Sequence, residues 1–150
     1  MSLTNFWTFF FHSLANKAFI KVADLAALNG NYAKSVEKYE QVAKQSLNNQ
    51  LTKWSLKDYF LKAGLCHIAA QDLVAAERAL NQYIEWEPTF ATTRECQLLH
   101  DVIATVKEGD EKQFSAKLYE YDQFSQLDKW KTAILLKIKG NIEAAEDDIL

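Results

Sequence analysis

One proline and four glycines in 150 residues leave little of the chemistry that tight turns use. Glycine supplies positive φ and proline a preset φ, and a many-stranded sheet protein needs such residues throughout. That architecture is excluded here, while abundant Ala, Leu, Lys, Glu and Gln favour helix on propensity alone. No apolar run reaches the roughly 18 residues that a membrane-crossing helix requires, so none is expected. Cysteine is limited to Cys66 and Cys96, which have no metal-ligand spacing and fall in helical segments. They read as reduced, packed thiols suited to a reducing cytosol. His12, His67 and His100 are scattered, with no carboxylate or cysteine placed to form a triad or a zinc site. A phosphate-binding glycine loop is missing, and arginine is too scarce for a nucleic-acid footprint. No catalysis, cofactor, metal or nucleic-acid partner is therefore expected.

With 49% apolar and 25% charged residues, the chain is long enough to bury one sizeable core. Apolar residues recurring at three- and four-residue steps predict seven helices, at 13–29, 32–47, 53–70, 72–86, 89–107, 110–125 and 128–147. Gly30 and Gly109 sit where a left-handed residue would end a helix, and Pro88 where a helix would stop. Asn31, Asp72, Thr89, Asp110 and Asp128 are candidate N-caps. Leu73, Ala76, Leu80 and Tyr83 form one expected core face, and Trp130, Ile134, Leu135, Ile138 and Ile142 another.

A repeat underlies this pattern. Gly64, Ala76, Leu80, Tyr83 and Pro88 fall at the spacings of a tetratricopeptide helix pair. The same grid meets Gly30, Tyr32, Ser35, Tyr39 and Val42 upstream, and Gly109, Phe114, Leu118 and Tyr121 downstream. The equivalent positions Ser35, Ala76 and Phe114 are 41 and 38 residues apart, against about 34 in a regular tetratricopeptide repeat. The expected fold is an all-α, tetratricopeptide-like solenoid of longer helical hairpins, ending in a small C-terminal bundle. Such solenoids hold partners on extended surfaces. We expect one helical domain over 13–150, preceded by an atypical aromatic segment over 1–12.

That segment holds Phe6, Trp7, Phe9, Phe10 and Phe11 with no charge before His12, and it has no basic leader of a signal peptide. It is expected to cap the open end of the solenoid, or else to touch a bilayer or partner. Charge is also uneven. Residues 1–70 carry eight lysines against four acids, whereas 71–150 carry nine bases against sixteen acids. A basic half and an acidic half suggest two differently charged partners.

Lys17 and Lys21 share a helix face, and Lys53 and Lys57 repeat that spacing around Trp54, with Leu51 just before. The two pairs look like a platform for an acidic, partly apolar rod. At the far end, Glu143, Glu146, Asp147 and Asp148 oppose their own helix dipole ahead of Ile149 and Leu150. This end is expected to fray into a docking peptide for a basic partner.

Several runs then carry a family likeness: Asn16-Lys17-Ala18-Phe19-Ile20-Lys21, Trp54-Ser55-Leu56-Lys57-Asp58-Tyr59-Phe60-Leu61-Lys62, Arg94-Glu95-Cys96, Glu120-Tyr121-Asp122 and Leu127-Asp128-Lys129-Trp130. Together with the acidic aliphatic end they resemble the C-terminal half of the soluble NSF attachment proteins, from Ser13 to Leu150. The resemblance implies an adaptor that is not itself an enzyme. It would coat the SNARE four-helix bundle and recruit the N-terminal domain of the hexameric ATPase N-ethylmaleimide-sensitive factor, which pulls the bundle apart. Matched position by position, the family's bundle-facing residues fall on Lys17, Lys21, Leu51, Trp54 and Lys57. Its ATPase-facing acids fall on Asp72, Glu108, Glu146, Asp147 and Asp148, and its penultimate leucine on Ile149, beside Leu150. Two positions near Glu108 that are acidic in animal members read Ala104 and Lys107 here, which implies a weaker contact. Met1 to His12 matches nothing in the family. The resemblance implies a cytoplasmic protein in peripheral contact with membranes. A tetratricopeptide-like scaffold for short peptides is the alternative.

Overall fold

The repeat spacing reappears in the backbone as one kind of turn used three times. In a computed structural model that describes residues 2–50 and 52–149, with the backbone alone at 149, Gly30, Gln71 and Gly109 adopt positive φ of 84°, 64° and 66°. The next amide in each case reaches back five residues: Asn31 to the carbonyl of Ala26 at 2.8 Å, Asp72 to His67 at 3.1 Å and Asp110 to Thr105 at 2.9 Å. The side chains of these same three residues then cap the following helix, accepting from the amides of Lys34, Ala75 and Gln113. Glycine suits the left-handed position because it has no Cβ to clash. Gln71 holds it without that freedom.

These turns join α1 (Leu3–Leu28) to α2 (Tyr32–Ser46), α3 (Leu56–Ala69) to α4 (Leu73–Trp86), and α5 (Arg94–Glu108) to α6 (Glu111–Phe124). The helix α7 (Lys129–Ile149) closes the order, and short 3-10 turns at Lys53–Ser55 and Pro88–Thr92 precede α3 and α5. No strand occurs among the described residues. The chain is all-α, a run of three helical hairpins followed by a seventh helix. Ser35, Ala76 and Phe114, each five residues past its left-handed turn, are all buried.

Burial follows the expected faces. Ala76, Leu80 and Tyr83 are buried on α4, and Trp130, Ile134, Leu135, Ile138 and Ile142 on α7. Within the core, Phe60 stacks on Tyr83 at 4.6 Å and meets Phe90 edge-on at 5.1 Å. Such pairs add about 0.5–1.5 kcal/mol each beyond the area they bury. The Ser35 hydroxyl donates to the Ala23 carbonyl at 2.7 Å across α1 and α2, and the Tyr83 hydroxyl donates to Glu40 at 3.0 Å.

A charged network binds α7 to the hairpins. Lys62 donates to Asp24 of α1 at 3.1 Å and lies 3.9 Å from Asp58. Asp58 pairs with Lys131 of α7 at 2.7 Å, and Lys131 pairs with Asp128 at 3.2 Å. The Tyr39 hydroxyl also donates to the Asp24 carboxylate, and the Trp130 indole N–H donates to the Asp24 carbonyl at 3.1 Å. The Lys62 ammonium sits over the Trp130 ring, 5.1 Å from its centroid.

Four expectations change. The aromatic segment does not cap the first repeat: it forms the first turns of a continuous α1, with Phe6, Trp7, Phe10 and Phe11 exposed. Their rings pack against one another instead. The fifth helix begins at Arg94 rather than at residue 89. Pro88 opens a 3-10 turn, the Thr89 hydroxyl donates to Glu87, and Thr93 is the cap that accepts from the Cys96 amide at 3.1 Å. The third helix likewise follows a 3-10 turn. The acidic end does not fray, because α7 runs on to Ile149; the helix-forming residues of Glu143-Ala144-Ala145-Glu146 outweigh an unfavourable dipole.

Close approach of α3 and α5 makes a test. A Cβ built on Gly64 would stand 2.6 Å and 2.8 Å from the two methyl carbons of Leu99. Alanine would gain about 1 kcal/mol in helix propensity, yet overpacking a tight core costs about 1–3 kcal/mol. Gly64→Ala is expected to lower the unfolding midpoint, and to cost little in a Leu99→Ala background. A denaturant-melt double-mutant cycle checks this, since coupling is confined to residues in contact.

Candidate functional site

Trp54 stands on the 3-10 turn ahead of α3 with 76% of its surface exposed. Beneath it, Leu56 and Phe60 are buried, so the turn carries a large aromatic outward from a firm floor. Lys53, Trp54, Lys57, Glu87, Thr89 and Phe90 are among the residues around a cleft of about 190 Å³. Lys53 pairs with Glu87 at 3.2 Å. The Thr89 hydroxyl, donating to Glu87 at 2.7 Å, and the Lys53 ammonium hold the Glu87 carboxyl below its ordinary range. Lys57 is exposed beside this pair. Leu51 lies outside the described residues.

Lys17 and Lys21 are exposed on α1, one turn apart. The next turn carries Asp24, whose carboxylate is taken up by Lys62 and Tyr39 and therefore does little to offset the lysines. The two lysine pairs thus stand on α1 and at the start of α3, with α2 packed against both helices. They are two basic patches rather than one convergent pocket.

The acidic residues do come together. Glu108 ends α5 and Glu146 lies near the end of α7, and both border a cleft of about 310 Å³ with Ile68, Val106, Ile138 and Ile142 in its wall. Gln71 and Leu73, the neighbours of Asp72, line the same cleft. Asp72 itself caps α4. Three acids far apart in sequence are gathered at one end because α3, α5 and α7 all finish there. An adjoining recess adds Asp110 and Glu111. Glu143 shares a hydrogen bond with Glu111, and this contact and the Glu111 charge raise its carboxyl above the ordinary range. Lys107, at the departure from the family pattern, is paired with Glu77; Ala104 is exposed on the same helix. Asp147 and Asp148 are exposed in the last turn of α7. The Ile149 side chain and Leu150 lie outside the described residues.

Sequence reasoning missed Glu87, Thr89 and Phe90, which join Trp54 across more than thirty intervening residues. It also passed over Asp110 and Glu111, although the run Glu108-Gly109-Asp110-Glu111 was a signal in plain view.

Both surfaces are chemically suited to binding. Burial pushes the Cys66 thiol up to about 12 and raises Cys96, so both stay protonated and unreactive near neutrality. Burial also lowers His67, leaving it neutral. No group of three or more His, Cys, Asp or Glu among the described residues could hold a metal ion.

A family model described as "Soluble NSF attachment protein, SNAP" matches residues 10–143. The chain is 54% identical over 137 residues to a probable vesicular-fusion protein sec17 homolog of Schizosaccharomyces pombe, covering 91% of this chain and 47% of that protein. It is 50% identical to the alpha-soluble NSF attachment protein of Saccharomyces cerevisiae, over 92% of this chain and 47% of that one. Against the human alpha-soluble NSF attachment protein the identity is 40%, with 92% and 46% covered. The chain spans about half the length of the curated relatives it matches.

Exposure separates Trp54 from the aromatic below it. Trp54→Ala is expected to change stability by less than about 0.5 kcal/mol, as surface substitutions do. Phe60→Ala should cost about 3–5 kcal/mol through the cavity it leaves. Thermal melts of the two variants check the contrast, and a large loss for Trp54→Ala would mean that it serves the core.

Proposed function

The chain belongs to the soluble NSF attachment protein family, and we propose that it works as an adaptor in vesicle traffic, holding an assembled SNARE bundle and recruiting an NSF-type ATPase to dismantle it. The observation that carries this reading is the split between two surfaces on one helical stack. Exposed Lys17, Lys21, Trp54 and Lys57 offer positive charge and an aromatic to an acidic, partly apolar rod. Asp72, Glu108 and Glu146 bring negative charge to a different end, where a basic domain of the ATPase would dock. The names of the relatives, a vesicular-fusion protein and NSF attachment proteins, point the same way. A scaffold for single peptide tails is less favoured, because its lysines would converge on one carboxylate and these stand on separate elements. An adaptor for membrane-anchored bundles acts in the cytoplasm at the membrane surface, and no helix among the described residues is long and apolar enough to cross a bilayer.

Charge reversal on the basic surface tests the first half. Lys17→Glu with Lys21→Glu, or Lys57→Glu, is expected to weaken binding to a soluble SNARE bundle, most at low ionic strength, while the affinity of the unaltered chain falls as salt rises and circular dichroism stays unchanged. Trp54→Ala should cost at least about 1 kcal/mol of binding, as exposed interface aromatics do. Unchanged affinity at low ionic strength would remove the platform.

The acidic end has its own test. Ile149→Ala with Leu150→Ala is expected to lower stimulation of ATP hydrolysis far more than bundle binding, because the platform lies in the other half of the chain. Steady-state ATPase assays beside bundle pull-downs measure both, and equal loss in the two, or loss in neither, would overturn that assignment.

A further inference from the structure

Burial on α1 is confined to its second half. In its second half Ala23 and Ala27 are buried, and Ser35 of α2 bonds the Ala23 carbonyl. In its first half the apolar side faces away. Leu3, Phe6, Phe10, Leu14, Lys17 and Lys21 follow one another at three- and four-residue steps, so they form one stripe along the helix. The apolar members of that stripe, together with Trp7 and Phe11, are between 41% and 73% exposed. A face this aromatic and this open on a helix end marks an interaction site.

The stripe also has a charge sign. No acidic residue occurs before Asp24, and Asp24 is held by Lys62 and Tyr39. Bulky aromatics followed within three turns by uncompensated lysines match the boundary of an anionic bilayer. Trp and Phe rings settle at the level of the acyl boundary, and lysine stems reach to the lipid phosphates. A second copy laid parallel along the stripe would instead set lysine against lysine.

We propose that α1 from Leu3 to Lys21 is a peripheral docking surface for an anionic phospholipid membrane, with Phe6, Trp7, Phe10 and Phe11 entering the headgroup region and Lys17 and Lys21 at its phosphates. This rests on the adaptor reading in placing the chain at a membrane. It adds the surface and the lipid chemistry, on a segment whose first residues, including Phe6 and Trp7, precede the family match at residue 10.

Flotation of the 150-residue chain with phosphatidylcholine vesicles, with and without phosphatidylserine, tests it beside binding to a soluble SNARE bundle that lacks membrane anchors. Binding is expected with phosphatidylserine and weak binding without it. Phe6→Ser with Phe10→Ser and Phe11→Ser should lower vesicle affinity about tenfold or more and leave soluble-bundle binding unchanged. Lys17→Gln with Lys21→Gln should lower vesicle affinity about fivefold per lysine. Tryptophan emission should move to the blue on the anionic vesicles, and Trp7→Phe should remove that move while binding persists. No binding to the phosphatidylserine vesicles, or equal binding by the triple serine variant, would overturn the assignment. So would self-association that the serine variant abolishes in the absence of vesicle binding. Vesicle binding without bundle binding would support the lipid surface while failing the adaptor reading.

Discussion

Two lysine ammonium groups taken out of water set the terms for the rest of the structure. Lys62 and Lys131 keep only 9% of their side-chain surface exposed, and a buried charge is tolerated only when it is paired and hydrogen-bonded. Burial alone would lower Lys131, but its bond to Asp58 and the charge of Asp128 outweigh that and raise it above the ordinary lysine range. Asp128 responds in the opposite sense: burial would raise it, and the Lys131 amide and ammonium bring it below the ordinary carboxylate range. Because Asp24 comes from α1, Asp58 from α3 and Asp128 from just before α7, satisfying two lysines fixes how three helices meet. The aromatic faces of Tyr39 and Trp130 complete the enclosure around Lys62.

The hairpins themselves were largely legible in the sequence, because each depends on local chemistry. Asn31, Asp72 and Asp110 are cap residues wherever they occur, and Gly109 announces its own left-handed turn. Gln71 was not legible in that role, since glutamine carries no preference for positive φ. Only the hydrogen bonds shared with the glycine turns reveal it as the middle member of the series. The same limit applies at Thr89 and Thr93. Both can cap, and the choice depends on how far the turn opened by Pro88 continues.

The proposed binding surfaces were legible as residue types but not as neighbourhoods. A lysine pair at four-residue spacing is visible in a string of letters; that Asp24 is neutralised from α3, leaving Lys17 and Lys21 uncompensated, is not. The gathering of Glu108 and Glu146 around one cleft, with the neighbours of Asp72 in its wall, follows from where α3, α5 and α7 end, which is a property of the stack. The open apolar stripe at the start of α1 was obscured for a related reason. Apolar residues on both sides of a helix look like a helix buried all round until the packing of α2 shows which side is covered.

Trp130 and Lys131 are held against α1 and α3, and fifteen residues on from Lys131, about 22 Å along the axis, α7 presents Glu146. In mechanical terms this helix is a strut. A load applied at its acidic end need not pass from hairpin to hairpin through side-chain contacts that yield one after another. It runs along a continuous hydrogen-bonded rod to the Lys131–Asp58 ion pair on α3 and to the Trp130 indole bond on α1, the helix that carries Lys17 and Lys21.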